Sequence, residues 1–125
     1  MELTSSKKVF IGAFILALAV SLGAMGAHAL EKSLSIKQLA TFKTGVNYHF
    51  IHGLGIVFLA LLEKSFSIKL TREFFFFLSG IILFSCCCYL YAVTGIKTFA
   101  MVVPVGGVAF IVGWLLLAFK FRKSL

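Results

Sequence analysis

Four long apolar runs, separated by short polar segments, dominate the pattern of this chain. A helix rises about 1.5 Å per residue, so an apolar run of about 20 residues can cross the hydrocarbon core of a bilayer. The runs predict transmembrane helices at about residues 9–29, 45–62, 74–94 and 99–119. We therefore expect an all-α integral membrane four-helix bundle, with residues 1–125 forming one transmembrane domain.

The polar segment between the first two runs contains a helix-start signal. Ser35 followed by Gln38 matches a capping box, in which each side chain bonds the backbone N–H of the other residue. Ile36, Leu39 and Ala40 then share one helical face. This pattern predicts a short helix lying at the membrane interface, ahead of the second span.

The first run has features that also occur in signal peptides. Lys7 and Lys8 precede it, and the sequence Ala27-His28-Ala29 near its end imitates a cleavage site. Three further apolar runs follow, however, so we expect the segment to be retained as a membrane span.

Composition supports a membrane protein and argues against nucleic-acid binding. The chain is 61% hydrophobic and 13% charged, whereas a soluble domain is about a quarter charged and about half apolar. Its formal net charge is +8, but the basic residues flank the apolar runs, as topology signals do. The expected partners are the lipid bilayer and another membrane protein or a second copy of the chain, with no nucleic acid.

The basic residues also predict an orientation. With four crossings, both termini and the second connection lie on one side of the membrane. That side carries eight Lys or Arg residues and the other side carries four. By the positive-inside rule we expect both termini to be cytoplasmic. The eight are Lys7, Lys8, Lys64, Lys69, Arg72, Lys120, Arg122 and Lys123; the four are Lys32, Lys37, Lys43 and Lys97.

The polar side chains within the spans are the candidate functional residues, because polar groups at membrane depth are costly unless they have partners or a function. The predicted topology brings most of them to the outer half of the bundle. This predicted cluster, a polar or ligand site, comprises His28, His49, His52, Asn47, Tyr48 and Tyr89.

Three interpretations of the histidines remain open. They could form hydrogen bonds between helices, bind a transition metal or haem, or handle protons or a substrate. The four acidic residues Glu2, Glu31, Glu63 and Glu73 lie at span ends, which leaves the spans without an embedded acid. We favour the packing role, and we expect no metal and no cofactor.

Small residues indicate where helices approach closely. In the first span, Ala19, Gly23, Gly26 and Ala27 recur at three- and four-residue spacing, and Gly106 and Gly107 follow Pro104 in the fourth. We expect both sets to pack against neighbouring helices. The three adjacent cysteines, residues 86–88, point about 100° apart on a helix, so they cannot converge on one ion and are expected to pack as small apolar side chains.

Four segments, taken together, resemble a known family. In their order along the chain they are similar to the motifs of the YgdD/YwdK-like small membrane proteins. That bacterial family has no known function and has a human transmembrane relative. The segments are 23–30, 42–54, 83–85 ahead of Tyr89, and 104–107 ahead of Gly113-Trp114.

The resemblance implies a four-span inner-membrane protein without an assigned activity. His28 and His52 fall on the family's Gly-Ala-His and His-Ala-Leu positions. The run of cysteines at residues 86–88 stands where the family usually has a Gly-Ser-Leu type of segment, which argues against a cysteine-based function.

The sequence contains no nucleophile–base–acid set, paired carboxylates or strong metal-ligand spacing, and we expect no enzymatic activity. The favoured interpretation is a structural, accessory or interaction component of the inner membrane. The alternative is a small transporter or channel, or a metal- or haem-handling protein, that uses the outer-half histidines.

Overall fold

A computed structural model describes residues 2–122, and the four predicted spans are helical in it. The described residues form no strand, which confirms the all-α prediction. The elements are α1 (Ser5–His28), α2 (Ile36–Phe66), α3 (Thr71–Gly80), a π-helical segment (Ile81–Cys86), α4 (Cys87–Thr94) and α5 (Lys97–Arg122).

Four helical stretches are long and apolar enough to cross a membrane: α1, α2, the continuous stretch Thr71–Thr94, and α5. The third span therefore consists of α3, the π-helical segment and α4 in succession. Pro104 lies inside α5 without interrupting it. The chain is an integral membrane protein with four spans.

The region between the first two spans differs from the prediction. The capping box is confirmed: Gln38 N donates to Ser35 Oγ at 3.2 Å, and Ser35 N donates to Gln38 Oε1 at 2.9 Å. The predicted interfacial helix is not a separate element, because the helix that begins at Ile36 continues without a break to Phe66. Phe42, buried against Gly26 of α1, holds these early turns in the bundle.

The helices pack in chain order. α1 packs along α2, α2 also packs against the third span, and α5 packs against the third span. The face of α1 that meets α2 is lined by small or short side chains: Gly12, Ala19 and Gly26 are buried there. A methyl group added at Gly26 would lie 2.8 Å from the Phe42 ring. The two helices therefore approach closely along this face.

Two residues of the predicted α1 stripe lie less deeply in this contact. Gly23 is half-buried and faces Val46, and a methyl group added at Gly23 would lie 3.4 Å from the Val46 side chain. Ala27 is exposed, contrary to expectation. It is displaced about 100° around the helix from Gly26, and so it points away from α2.

The π-helical segment lies between two glycines from neighbouring helices. A Cβ at Gly45 of α2 would lie 3.1 Å from the Ser85 carbonyl oxygen, and one at Gly106 of α5 would lie 2.6 Å from the Leu83 carbonyl carbon. At Gly107 the nearest atom is in the Phe84 ring, at 3.7 Å. Gly106 therefore makes the close backbone contact, and Gly107 makes an ordinary one.

The apolar core comprises two clusters. The larger contains Ile15, Ile56, Leu59, Leu70, Phe74, Phe77, Ile81, Phe110 and Leu117. The smaller contains Phe42, Val46, Tyr89 and Ala92. His52 packs against rings of the larger cluster and His49 against Tyr89 of the smaller one, so the two buried histidines lie where the clusters meet.

Candidate functional site

His52 is buried in a cage of aromatic rings contributed by three spans. Its ring stacks on Phe110 of α5, with centroids 3.4 Å apart and planes 10° apart. The edge of Phe77 from α3 lies 5.3 Å away, centroid to centroid. Its two ring nitrogens are also engaged: Nδ1 lies 2.8 Å from the Tyr48 carbonyl oxygen, and Trp114 Nε1–H donates to Nε2 at 3.0 Å.

These two partners assign the protonation state of His52. An indole nitrogen can only donate, so Nε2 must accept and carry no proton. A backbone carbonyl can only accept, so Nδ1 must carry the proton. The ring is therefore neutral and protonated on Nδ1. Its one free lone pair is occupied by Trp114, which leaves no ring nitrogen open to bind a metal.

His49 joins α2 to the third span. Its Nδ1 lies 2.9 Å from the hydroxyl oxygen of Tyr89, and both side chains are buried. Tyr89 packs in turn against Phe42, with ring centroids 4.8 Å apart. His49 and Tyr89 therefore connect α2 and α4 through a polar contact within an apolar layer.

The structure does not bring the six predicted polar residues together. His49, His52 and Tyr89 are buried, and Tyr48 contributes its carbonyl to His52 and its ring to a contact with Phe84. His28 is exposed at the end of α1, and Asn47 is exposed on α2. His49 and His52 face different partners, so the predicted histidine cluster divides into two separate contacts.

The depth of the histidines also differs from the prediction. Because α2 begins at Ile36, His52 lies near the middle of that helix rather than in its outer half. Gly53, the next residue, packs against Leu16 midway along α1. The polar contacts of His52 therefore lie near mid-depth in the bundle.

A second polar site lies where α1 begins and α2 ends. Lys8 is completely buried, and its Nζ forms an ion pair with Glu63 Oε1. Glu63 accepts two more hydrogen bonds, from Ser5 Oγ at 3.0 Å and from the Leu70 backbone N–H at 2.6 Å. This ion-pair site thus ties α1, α2 and the loop before α3 to one carboxylate.

Further polar groups surround the ion-pair site. Glu63 lines a cleft of about 500 Å³ together with the hydroxyls of Thr4, Ser5, Ser67 and Thr71. At the surface, a hydrogen bond of 2.6 Å from Lys69 lowers the pKa of Glu2 and raises that of Lys69. This exposed pair contributes little to stability, because water screens it.

Glu73 is buried as well, although the sequence pattern placed it at a span end. It is 1% exposed, and its Oε1 has no hydrogen-bond partner among the described residues. It lies one turn before Phe77 on the same face of α3, the face that packs into the bundle. Ser85 Oγ, in the π-helical segment, is the other buried polar side-chain atom without a partner in residues 2–122.

The ion-pair site was not predicted, although the sequence contains a signal for it. Lys8 lies four residues before Gly12 and therefore on the face of α1 that meets α2. Glu63 lies four residues after Leu59 and seven after Ile56, both fully buried. Extending the apolar stripe of each helix by one turn would have predicted that these two opposite charges are buried.

The partner of His52 was not predicted either. No hydrogen-bond partner was predicted for Trp114, and it donates to His52 across the bundle. The described residues contain no group of three or more His, Cys, Asp or Glu side chains placed to hold a metal ion. The observed hydrogen bonds pair polar side chains from different helices with one another.

Removing the His52 ring nitrogens should destabilise the bundle. His52→Phe retains a ring between Phe77 and Phe110 but leaves the Trp114 N–H without its acceptor. We expect a loss of about 1–3 kcal/mol in the free energy of unfolding in detergent. Trp114 is the single tryptophan of the chain, so its fluorescence emission should shift to shorter wavelength as the hydrogen bond is lost.

The matched control for this substitution is His28→Phe, at an exposed position at the end of α1. It should change neither the stability nor the emission. Equal effects of the two substitutions would contradict the role of His52 as a bridge between helices.

Comparison with known proteins identifies relatives along most of the chain. The family described as "Protein of unknown function (DUF423)" matches residues 22–107. UPF0382 membrane protein YwdK of Bacillus subtilis (strain 168) is 42% identical over 122 residues, which cover 94% of this chain and 99% of the relative. No solved structure matches.

Two further bacterial relatives extend the comparison. UPF0382 membrane protein SSP2132 of Staphylococcus saprophyticus is 40% identical over 112 residues, covering 88% of this chain and 93% of the relative. UPF0382 inner membrane protein YgdD of Escherichia coli (strain K12) is 37% identical over 99 residues, 78% of this chain and 76% of the relative. The resemblance to YgdD/YwdK-like proteins is confirmed, and the implied human relative stays a prediction.

Proposed function

We propose that this chain, which belongs to the DUF423 family of proteins of unknown function, is a non-enzymatic structural or interaction component of the membrane. The proposal rests on the hydrogen bonds that the two buried histidines form inside the bundle. The ring nitrogens of His52 are both engaged in hydrogen bonds, and His49 bonds Tyr89.

The same contacts favour packing over the alternative of a transporter or a metal- or haem-handling protein. A ligand at His52 would have to displace the Trp114 N–H and leave that donor unpaired in the bundle, at a cost of about 1–3 kcal/mol. The transporter, channel and haem alternatives receive no support from these contacts. We therefore propose no cofactor and no reaction for this chain.

The proposed location is the inner, or cytoplasmic, membrane, with both termini in the cytoplasm. One of the relatives is named an inner membrane protein. Of the described cations, seven lie at the end where α1 begins and α5 ends, and four lie at the other end. Lys123, the eighth in the prediction, lies outside the described residues. A green fluorescent protein fused to the C-terminus should fluoresce if this orientation is correct, because it folds poorly outside the cytoplasm.

The proposed partners are the bilayer and either another membrane protein or a second copy of the chain. Two faces are available. On α1, Phe10, Phe14 and Leu18 form an exposed stripe on the side away from α2, with Phe14 61% exposed. On α5, Val108, Ile111 and Leu115 are similarly exposed. Such apolar faces contact lipid tails or a partner helix.

Site-specific photo-crosslinking in intact cells tests this interaction role. A photoreactive phenylalanine is placed at Phe14 on α1 and, in a second variant, at Ile111 on α5. We expect a protein adduct of one discrete mass from one of the two faces, and lipid adducts from the other. Lipid adducts alone from both faces would overturn the interaction role.

A further inference from the structure

A cleft of about 370 Å³ lies between the start of α3 and the end of α5. Two cationic side chains line it, Arg72 from the first turn of α3 and Lys120 from the last turns of α5. Leu116 and Phe119 of α5 provide its apolar lining. Phe119 is 60% exposed, so its ring is accessible from outside the bundle. The cleft thus combines two positive charges with an apolar wall at the edge of the membrane-spanning region.

A third cation borders the same apolar wall. The guanidinium carbon of Arg122 lies 5.8 Å from the centroid of the Phe119 ring. Within residues 2–122, ion pairs form between Lys8 and Glu63 and between Lys69 and Glu2, and neither involves these cations. The described part of the chain therefore provides no counter-ion for Arg72, Lys120 or Arg122.

None of the described acidic residues at this end of the bundle lines the cleft. Glu63 holds Lys8, and Glu2 holds Lys69. Glu73 follows Arg72 in sequence, but it is buried in the bundle at 1% exposure. Among the described residues the positive charge of the cleft is consequently uncompensated, which favours an anion from outside the protein.

We propose that this cleft binds the headgroup of an anionic glycerophospholipid. The Arg72 guanidinium can hold a phosphate through two parallel hydrogen bonds, and the Lys120 ammonium adds a second positive charge. The first acyl methylenes lie against Leu116 and Phe119, where they replace water on apolar surface. Basic sites between transmembrane helices are suited to acidic headgroups. This proposal goes beyond the proposed function and does not depend on a protein partner.

Native mass spectrometry of the delipidated full chain in a mild detergent tests the proposal. Dioleoylphosphatidylglycerol and dioleoylphosphatidylcholine, which share the same acyl chains, are titrated in parallel. We expect one phosphatidylglycerol per monomer to bind about tenfold or more tightly than phosphatidylcholine. In Arg72→Gln/Lys120→Gln this preference should fall to near unity.

The control variant, Lys43→Gln/Lys97→Gln, removes the same number of charges from exposed positions at the opposite end of the bundle. It should keep the preference for phosphatidylglycerol. All four substituted side chains are exposed, and circular dichroism without lipid should show that both variants fold like the parent.

Three outcomes would overturn the proposal. The first is equal binding of the two lipids to the parent chain. The second is an equal loss of preference in both variants, which would reduce the effect to net charge. The third is that the parent chain forms a dimer without bound lipid and Arg72→Gln/Lys120→Gln is monomeric. That result would assign the cleft to a second copy of the chain.

Discussion

Gly106→Ala is expected to destabilise the bundle by about 3 kcal/mol, the upper end of the usual cost of overpacking a core. The added Cβ would lie 2.6 Å from the Leu83 carbonyl carbon and 2.8 Å from the Phe84 Cα, and it would also meet the Phe84 backbone nitrogen. These are backbone atoms of the π-helical segment, so no side-chain rotation can relieve the contact. The free energy of unfolding can be measured by titration with a denaturing detergent, monitored by circular dichroism.

Gly107→Ala is the control for this prediction, one residue further along the same helix. Its Cβ would lie 3.7 Å from the nearest atom, in the Phe84 ring, which is an ordinary contact. Alanine also favours a helix over glycine by about 1 kcal/mol. We expect this variant to be as stable as the parent or slightly more so. Similar losses at the two positions would show that α5 does not approach the π-helical segment as closely as described.

Lys8→Met is expected to cost about 3–5 kcal/mol, because it leaves the carboxylate of Glu63 buried without its counter-charge. Methionine keeps most of the length and apolar volume of the lysine side chain, so the loss reports on the charge. The same denaturation measurement applies. Lys7→Met, at the neighbouring half-buried position, removes only a hydrogen bond to the Glu2 carbonyl and should change stability by less than about 1 kcal/mol.

A double substitution separates the ion pair from the surrounding packing. In Lys8→Met/Glu63→Gln the buried charge is removed, while the glutamine oxygen can still accept from the Leu70 N–H. Most of the stability lost in Lys8→Met should return, because replacing both partners of a buried pair is often nearly neutral. If the double variant were as unstable as Lys8→Met, the site would depend on shape rather than on charge compensation.

The parts of the fold that were predictable are those encoded locally. Each span is an apolar run, and the capping box needs only Ser35 and Gln38, three residues apart. The close α1–α2 contact could be anticipated from Ala19 and Gly26, since spacing along one helix determines which residues share a face. The hydrophobic pattern is weakest at residues 36–45. There the second span was predicted to begin at about residue 45, whereas α2 begins at Ile36.

The partners of the polar residues could not be predicted in the same way. His52 and Trp114 are 62 residues apart, and Lys8 and Glu63 are 55 apart, so their pairing depends on how helices rotate and pack. The π-helical segment has no signal in residues 81–86 themselves. Its wide turn is accommodated by Gly45 and Gly106 on other helices, which are informative only once their neighbours are known.

The separation between Lys8 and Glu63 has a consequence for biosynthesis. During translation, Lys8 leaves the ribosome well before Glu63, which follows it by 55 positions in the sequence. At about 5–20 residues per second, the interval is roughly 3–11 s. Throughout that time the lysine must remain in water or among lipid headgroups, because burying an unpaired ammonium is costly. The first helix can therefore reach its final depth only after the second has been made, which sets an order for assembly during insertion.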